Sequence, residues 1–384
     1  MTTAVTTHFT PQATAAGRLI RRLRALTPAL LARMYVPAEK LYVFRLRRIG
    51  ADVIAEGRSR RYTAIVLLGL RTESEPDAAT ALQGDRPQDV ARRLLEDAPR
   101  MTNLGDVALA LWAAAAWELH GLQPAFDRLA QLDPAGAKHF NVELSWALAA
   151  LSRDLRLPGV DALRAKVRAR LLSAFNERSG LFPHVVAEGY HGLRAHVSCF
   201  ADLVYAVQAL ALYAQYSDDS KAREVARRCA AAWSSLRGPD GQWWWHYDYR
   251  TGRIVERYPV YTVHQLAMGP MALFAAKDAC GADFSAAIEH GLNWVTSPTE
   301  LTGQSLVDDG QQLVWRKVAR REPRKLARRM QALASGVHPA LRVPGLDVVL
   351  PPAAVDYETR PYEYGWLLHA FTPERARRWI GSGR

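Results

Sequence analysis

The chain has 384 residues, 49% hydrophobic and 23% charged, enough to bury a large core, and it contains no low-complexity tract. Its 50 Lys and Arg outnumber 38 Asp and Glu, and the formal charge of +12 favours an anionic partner: an acidic glycan, a diphosphate or anionic lipid. No RNA-recognition or zinc-finger spacing accompanies that charge, which argues against nucleic acid, and three cysteines without a CxxC pair argue against a disulfide framework.

Residues 1–16 are Thr/Ala-rich, predict disorder, and lack the basic-then-apolar pattern of a secretion signal. No run approaches the roughly 20 apolar residues of a membrane span, so a cytoplasmic protein is expected. Residues 17–35 place Leu19, Ile20, Leu23, Leu26 and Leu30 on one side and arginines on the other. They predict an outer-layer amphipathic helix that Pro28 bends or divides.

Apolar and basic helices then alternate. Apolar helices are predicted over residues 62–70, 106–119, 143–151, 200–213, 262–277 and 364–371, with Pro270 kinking or splitting the fifth. Amphipathic helices follow the first five, over 87–97, 123–132, 160–176, 221–236 and 285–295. The sixth is completed by residues 374–380 or by the N-terminal helix. Turn signals at Pro239-Asp240-Gly241 and Thr251-Gly252 predict a short β-hairpin within residues 238–261. Residues 298–361 form a long excursion. Its cations from Arg316 to Arg329 recur at three and four residues, which predicts an amphipathic helix interrupted at Pro323. Such a helix suits an anionic polymer, or peripheral contact with an anionic membrane at its inner face.

A helix that is apolar all round belongs inside a protein, and one with an Arg-rich face belongs outside. Six such pairs closing on themselves predict an all-α fold: an (α/α)6 toroid of helical hairpins with a short β-hairpin or loop elaborations at one mouth. Residues 17–384 form it as one domain. This pattern, over about residues 50–380, resembles the six-hairpin superfamily. The most family-like local element is Gly238-Pro-Asp-Gly-Gln-Trp-Trp-Trp-His246, at the end of an outer helix. The superfamily includes many glycoside hydrolases, some polysaccharide lyases, uronyl C5-epimerases and cytosolic N-acyl-glucosamine 2-epimerases. The resemblance therefore implies carbohydrate chemistry by analogy of architecture.

Each apolar helix opens on a polar cluster, and in a toroid these clusters gather at one mouth. The densest holds Trp244, Trp245, His246 and Asp248, then Tyr258, Tyr261 and His264. Aromatic faces beside hydrogen-bonding tips suit a sugar ring. Tyr261 and His264, three apart where a helix starts, form a candidate proton-transfer pair. Carboxylates start four inner helices: Asp106, Glu143, Asp202 and Glu363. Helix capping explains each one singly, but convergence would supply the two carboxyls that glycoside hydrolysis needs. Asp202 and Glu363 are the preferred catalytic pair. Arg61, Tyr190, His196 and Tyr364 are candidate substrate contacts, and no spacing of the HExxH kind indicates a metal or cofactor.

The leading expectation is a carbohydrate-active enzyme acting on an anionic glycan in cell-surface polysaccharide biosynthesis, with hydrolysis ranked ahead of epimerisation or elimination. A terpenoid cyclase-like toroid is the first alternative, though the DxDD run of the protonating cyclases is absent. A non-catalytic glycan-binding scaffold of a membrane-associated assembly is the second.

Overall fold

The computed structural model describes residues 14–322 and 325–381. In chain order the first helices are α1 (Ala15–Ala32), α2 (Arg60–Leu70), α3 (Glu75–Ala81), α4 (Pro87–Asp97), α5 (Leu104–Ala116), α6 (Gln123–Gln131), α7 (Asn141–Leu151) and α8 (Val160–Ala174). There follow α9 (Phe200–Ser217), α10 (Ser220–Ser235), α11 (Gly269–Cys280), α12 (Ser285–Thr296), α13 (Leu326–Val337), α14 (Leu346–Val349), α15 (Pro361–Ala370) and α16 (Pro373–Gly381).

Composition sorts these helices into two layers. α2, α5, α7, α9, α11 and α15 are buried on nearly every side and stand in a closed ring, each touching the next and α15 returning to α2. Helices with a polar face, α4, α6, α8, α10 and α12, pack behind them. The sixth outer place is filled by α1, which packs on α12, α15 and α16, so both expected candidates are used. The fold is the (α/α)6 toroid that the alternation predicts. Ring closure depends on small residues at one seam: a Cβ on Gly69 of α2 would lie 2.2 Å from the Gly365 carbonyl oxygen of α15. Any side chain there would push the two helices apart.

Short strands crown one end of the ring. A hairpin of Arg45–Ile49 and Asp52–Glu56, which the sequence reading missed, adds Glu358–Thr359 as a third strand. The expected hairpin is His246–Asp248 with Arg253–Glu256, and Val197–Cys199 joins its free edge. Val260–Tyr261 pairs with Lys317–Ala319, which pairs with Ala354–Asp356. Cys199, Tyr261 and Thr359 lead almost directly into inner helices, so these strands fix where the helices start.

One local expectation about the helices is met and two are corrected. Pro270 does start a second piece of the fifth inner rod: a π-helical turn at His264–Met268 precedes α11, which carries the proline in its first turn, where no N–H is needed. Pro28 does not divide α1, because the buried Thr27, Pro28, Leu30 and Leu31 hold the helix together across the missing N–H. The basic run is not one helix. Lys317–Ala319 is a strand, helical structure begins only at α13, and Pro323 and Arg324 lie outside the described residues. Arg316 and Arg320, on either side of that strand, turn inward onto Glu358 and Glu256 and form no exposed cationic helix face. Among the described residues, no helix is long and apolar enough to cross a membrane.

Candidate functional site

The six inner helices start at the same end, and contacts between neighbouring N-termini trace the circle. From α2 to α5, Arg61 donates to Asp106 (2.7 Å) and to the Asn103 side chain (2.8 Å). From α5 to α7, Asn103 donates to Glu143. From α7 to α9, Asn141 donates to the Asp202 carbonyl (2.7 Å). Phe200 of α9 stacks on His264 at the head of the π turn, with ring centroids 4.2 Å apart. Arg316 spans the next gap, 4.9 Å above the Tyr261 ring and 3.6 Å from Glu363 of α15. Arg360 closes the circle by donating to the Tyr62 hydroxyl (2.8 Å). Arg61, Arg316 and Arg360 stand among these six helix N-termini, beside the carboxyls of Asp106, Glu143, Asp202, Glu358 and Glu363.

The α11–α15 arc holds the most perturbed groups. His264 lies between Phe200 and a nearly parallel Trp245 ring 5.8 Å away, and 4.9 Å from Tyr261. Burial drives its pKa well below the usual imidazole range, and its Nδ1 has no hydrogen-bond partner. His246 is likewise buried, held neutral, and unpartnered at Nδ1.

Glu358 and Glu363 share Arg316 and are split by their surroundings. Burial opposes ionisation of Glu358, but Arg316, Arg360 and Arg45 outweigh it and hold the carboxyl at about 2. Glu363 is pushed by burial up to about 7, against Arg316 and Arg360, and its Oε1 accepts no hydrogen bond. Two carboxyls separated this way can serve as anion and acid at one pH.

The other predicted carboxylates are better satisfied. Asp202 accepts from the Cys199 N–H (2.7 Å) and bonds His184 Nδ1 (3.0 Å), and that charge raises the His184 pKa. Glu143 is lowered despite burial, by hydrogen bonds from His139, Asn103 and the Phe140 N–H. Asp106 sits half-exposed beside Arg61, which also covers the Trp146 ring. At the start of α2, Phe44, Tyr62 and Tyr362 stack in series at 5.4 and 4.7 Å, with Arg360 over the Phe44 ring at 4.3 Å. Next to it a cavity of about 490 Å³ runs between the α2 and α5 starts, lined by Arg60, Arg61, Arg100 and Asp106 among others.

Asp202, His264, Glu363, Tyr261, Trp245, His246, Arg61, Asp106 and Glu143 thus share the mouth, and Tyr190 is exposed beneath Lys138 on the loop before α9. Five predicted contacts lie elsewhere. Trp244 and Tyr258 pack on each other behind the hairpin, where the Tyr258 hydroxyl donates to Glu300. Of the pair only Trp245, at the bend leading into the strand, reaches His264. Asp248 caps its own hairpin turn and pairs with Arg250. His196 bonds Ser335 of α13. The Tyr364 hydroxyl accepts from the Val314 N–H within the core.

Glu358, Arg360 and the Tyr62–Tyr362 stack were not selected from the sequence; His184 stood out only for the hydrogen-bonding capacity of its loop, and Arg316 only as part of the basic run. The tyrosines stand beside Arg61 and Glu363 in the helix-opening clusters, which was a usable signal; Glu358 had none. His184, Cys199 and Asp202 bring ligand-type atoms within 4.8 Å of one another, and Asp202 bonds His184 Nδ1 and the Cys199 N–H.

No family model matches this chain, and no curated protein does. Solved structures do share its fold. A cellobiose 2-epimerase from Bacillus thermoamylovorans is 11% identical, with a TM-score of 0.64 over 92% of this chain and 98% of its own. A possible member of the GH105 family from Salmonella enterica is 11% identical, with a TM-score of 0.62 over 99% and 100%. An unsaturated glucuronyl hydrolase specific for heparin is 12% identical, with a TM-score of 0.59 over 94% and 97%. At these identities the likeness is one of fold.

Proposed function

We propose that this chain is a carbohydrate-active enzyme, a glycoside hydrolase first, acting on an anionic sugar held in the ring mouth. The observation that carries the reading is Glu363: a buried carboxyl poised at about 7, with one oxygen lacking a hydrogen-bond partner, beside permanently charged Arg316 and Arg360. In this reading Glu363 protonates the leaving glycosidic oxygen. The Asp202 carboxylate, two inner helices away and held against His184, is the base proposed for the attacking water. Arg61, Arg316, Arg360 and the helix N-termini hold the substrate's negative charge.

The same arginines disfavour a terpenoid cyclase, because a carbocation would meet three guanidinium groups. One observation favours a second reading, sugar epimerisation: His264 is neutral and stacked, with a free Nδ1 next to Tyr261, a pair suited to removing and returning a proton. The likeness to an epimerase fold is compatible with it.

Turnover of acidic oligosaccharides by the purified chain tests the proposal. Glu363→Gln should lower kcat by about a hundredfold or more, and activity should fall as pH rises through about 7. Specific binding without turnover would make the chain a scaffold. Full activity in Glu363→Gln with loss in His264→Asn would transfer the chemistry to the epimerase pair.

A further inference from the structure

Helix α13 is turned inside out. Its buried face is made of small or polar residues, Ala327, Gln331, Ala332 and Ser335. Leu326, Met330, Leu333 and Val337 recur every three or four residues along the opposite face and stand in solvent, Leu333 at 51% and Val337 at 82% exposure. An ordinary surface helix does the reverse. Burial of the small face is also specific, since Ser335 bonds the buried His196 imidazole (2.9 Å) at the foot of the strand that leads into α9. The orientation is therefore fixed by the protein and leaves the apolar stripe exposed, without a partner among the described residues.

The stripe is extended by Leu193, at 79% exposure, across a groove of about 420 Å³ between α13 and the loop before α9. Cations border it. Arg194, Arg321, Lys325 and Arg329 have no carboxylate partner among the described residues, while Arg328 pairs with Glu322. Burial, together with nearby Arg328 and Arg329, lowers the pKa of Arg194, a sign of positive charge crowded without compensation. A protein partner for such a stripe would need acidic residues placed around an apolar ridge. A bilayer with anionic headgroups supplies both layers at once: apolar depth for the side chains, and phosphate for the cations at the level of the headgroups.

We infer that α13 docks this protein on an anionic membrane surface, with Leu326, Met330, Leu333 and Val337 inserted and Arg194, Lys325 and Arg329 on lipid phosphates. The contact lies on α13 itself, not on Arg316 or Arg320 of the preceding strand. Because α13 packs on the hairpin that carries His246, docking would hold the ring mouth close to the bilayer.

The full chain should co-sediment with vesicles containing phosphatidylglycerol and release as salt is raised, and should bind pure phosphatidylcholine far more weakly. Leu333→Glu with Val337→Glu should weaken binding by at least about tenfold. Lys325→Ala with Arg329→Ala, which leaves the apolar stripe intact, should weaken it by about thirtyfold. No sedimentation, or equal binding to both vesicle types, overturns the inference. So does a concentration-dependent dimer in light scattering that Leu333→Glu dissociates, since a second copy would then be the occupant.

Discussion

Two arcs of one mouth treat their polar groups in opposite ways. In the α2–α5 arc, Arg61, Asn103 and Asp106 are partly exposed and bonded to one another across the helix gap. In the α11–α15 arc the groups are buried and left incomplete: Glu363 Oε1, His264 Nδ1, Trp245 Nε1 and Arg316 Nε have no hydrogen-bond partner. Leaving a buried polar atom unpaired costs on the order of 1–3 kcal/mol. Unpartnered buried atoms also occur away from the mouth, as at Trp233 Nε1, Tyr247 Oη and Arg164 Nη2. The first arc joins helices; under the proposed function the open groups of the second meet the substrate. On α7 between them, Trp146 Nε1 and Asn141 Oδ1 are also unpaired, which carries the open groups to beneath Arg61.

The sharpest test substitutes one carboxyl in each arc. Glu363→Gln should cost a hundredfold or more in kcat, on the order of 3 kcal/mol of barrier. It should leave stability equal or higher, because it removes a buried ionisable group. Asp106→Asn keeps the shape of a group whose role is to hold Arg61, and should change kcat by no more than about threefold while raising KM. Equal losses in kcat from the two would erase the distinction between the arcs.

Next in size is Arg316→Met. Arg316 is the charge common to Glu358 and Glu363, and breaking such a buried set costs about 3–5 kcal/mol. Urea unfolding measures that loss. Because Arg316 pulls the Glu363 pKa down, the same variant should move the alkaline limb of the pH–rate profile upward. A limb that stays in place would show that Glu363 does not set it.

Glu358 and Glu363 also predict opposite limbs of stability against pH. Glu358 falls from 4.5 to about 2 on folding, so its contribution is present above the ordinary value and lost as pH drops toward 2. Glu363 rises from 4.5 to about 7, so the folded state holds an extra proton between those values, and stability declines as pH rises across them. Each shift is worth about 3 kcal/mol. Unfolding midpoints across acidic to neutral pH should be highest near the ordinary carboxylate range. Glu363→Gln should flatten the neutral side alone.

The ring was readable because its cause is repetitive. Apolar-all-round stretches such as residues 104–116 and 141–151 have nowhere to go but inside, and their polar starts mark one end. The hairpin at residues 45–56 was not readable, since Arg45, Arg47 and Arg48 alternate with few apolar residues and the strand is held by ion pairs to Glu56 and Glu358. The same reason hid Glu358 and misplaced the basic run. Period alone suggested a helix, whereas carboxylates more than 40 residues away, Glu358 for Arg316 and Glu256 for Arg320, draw that segment into a sheet. Trp244 and Tyr258 were misplaced because they lie in the irregular segments flanking the hairpin strands, where no period fixes the direction of a side chain.

The smallest predicted effect separates capping from catalysis in the saturated arc. Asn103 accepts from the Asp106 N–H as the N-cap of α5, while it also takes a hydrogen bond from Arg61 and gives one to Glu143. Asn103→Ala removes all three, at a cost of about 1–2 kcal/mol, most of it the lost cap. Asn103→Asp keeps the cap and the Arg61 contact but sets a second negative charge against Glu143. If the arc only joins helices, the alanine variant should lose stability with kcat held within about twofold, and the aspartate variant should raise the Glu143 pKa with similar turnover. A drop in kcat from Asn103→Ala comparable with that of Glu363→Gln would mean that the saturated arc also contacts the reacting bond.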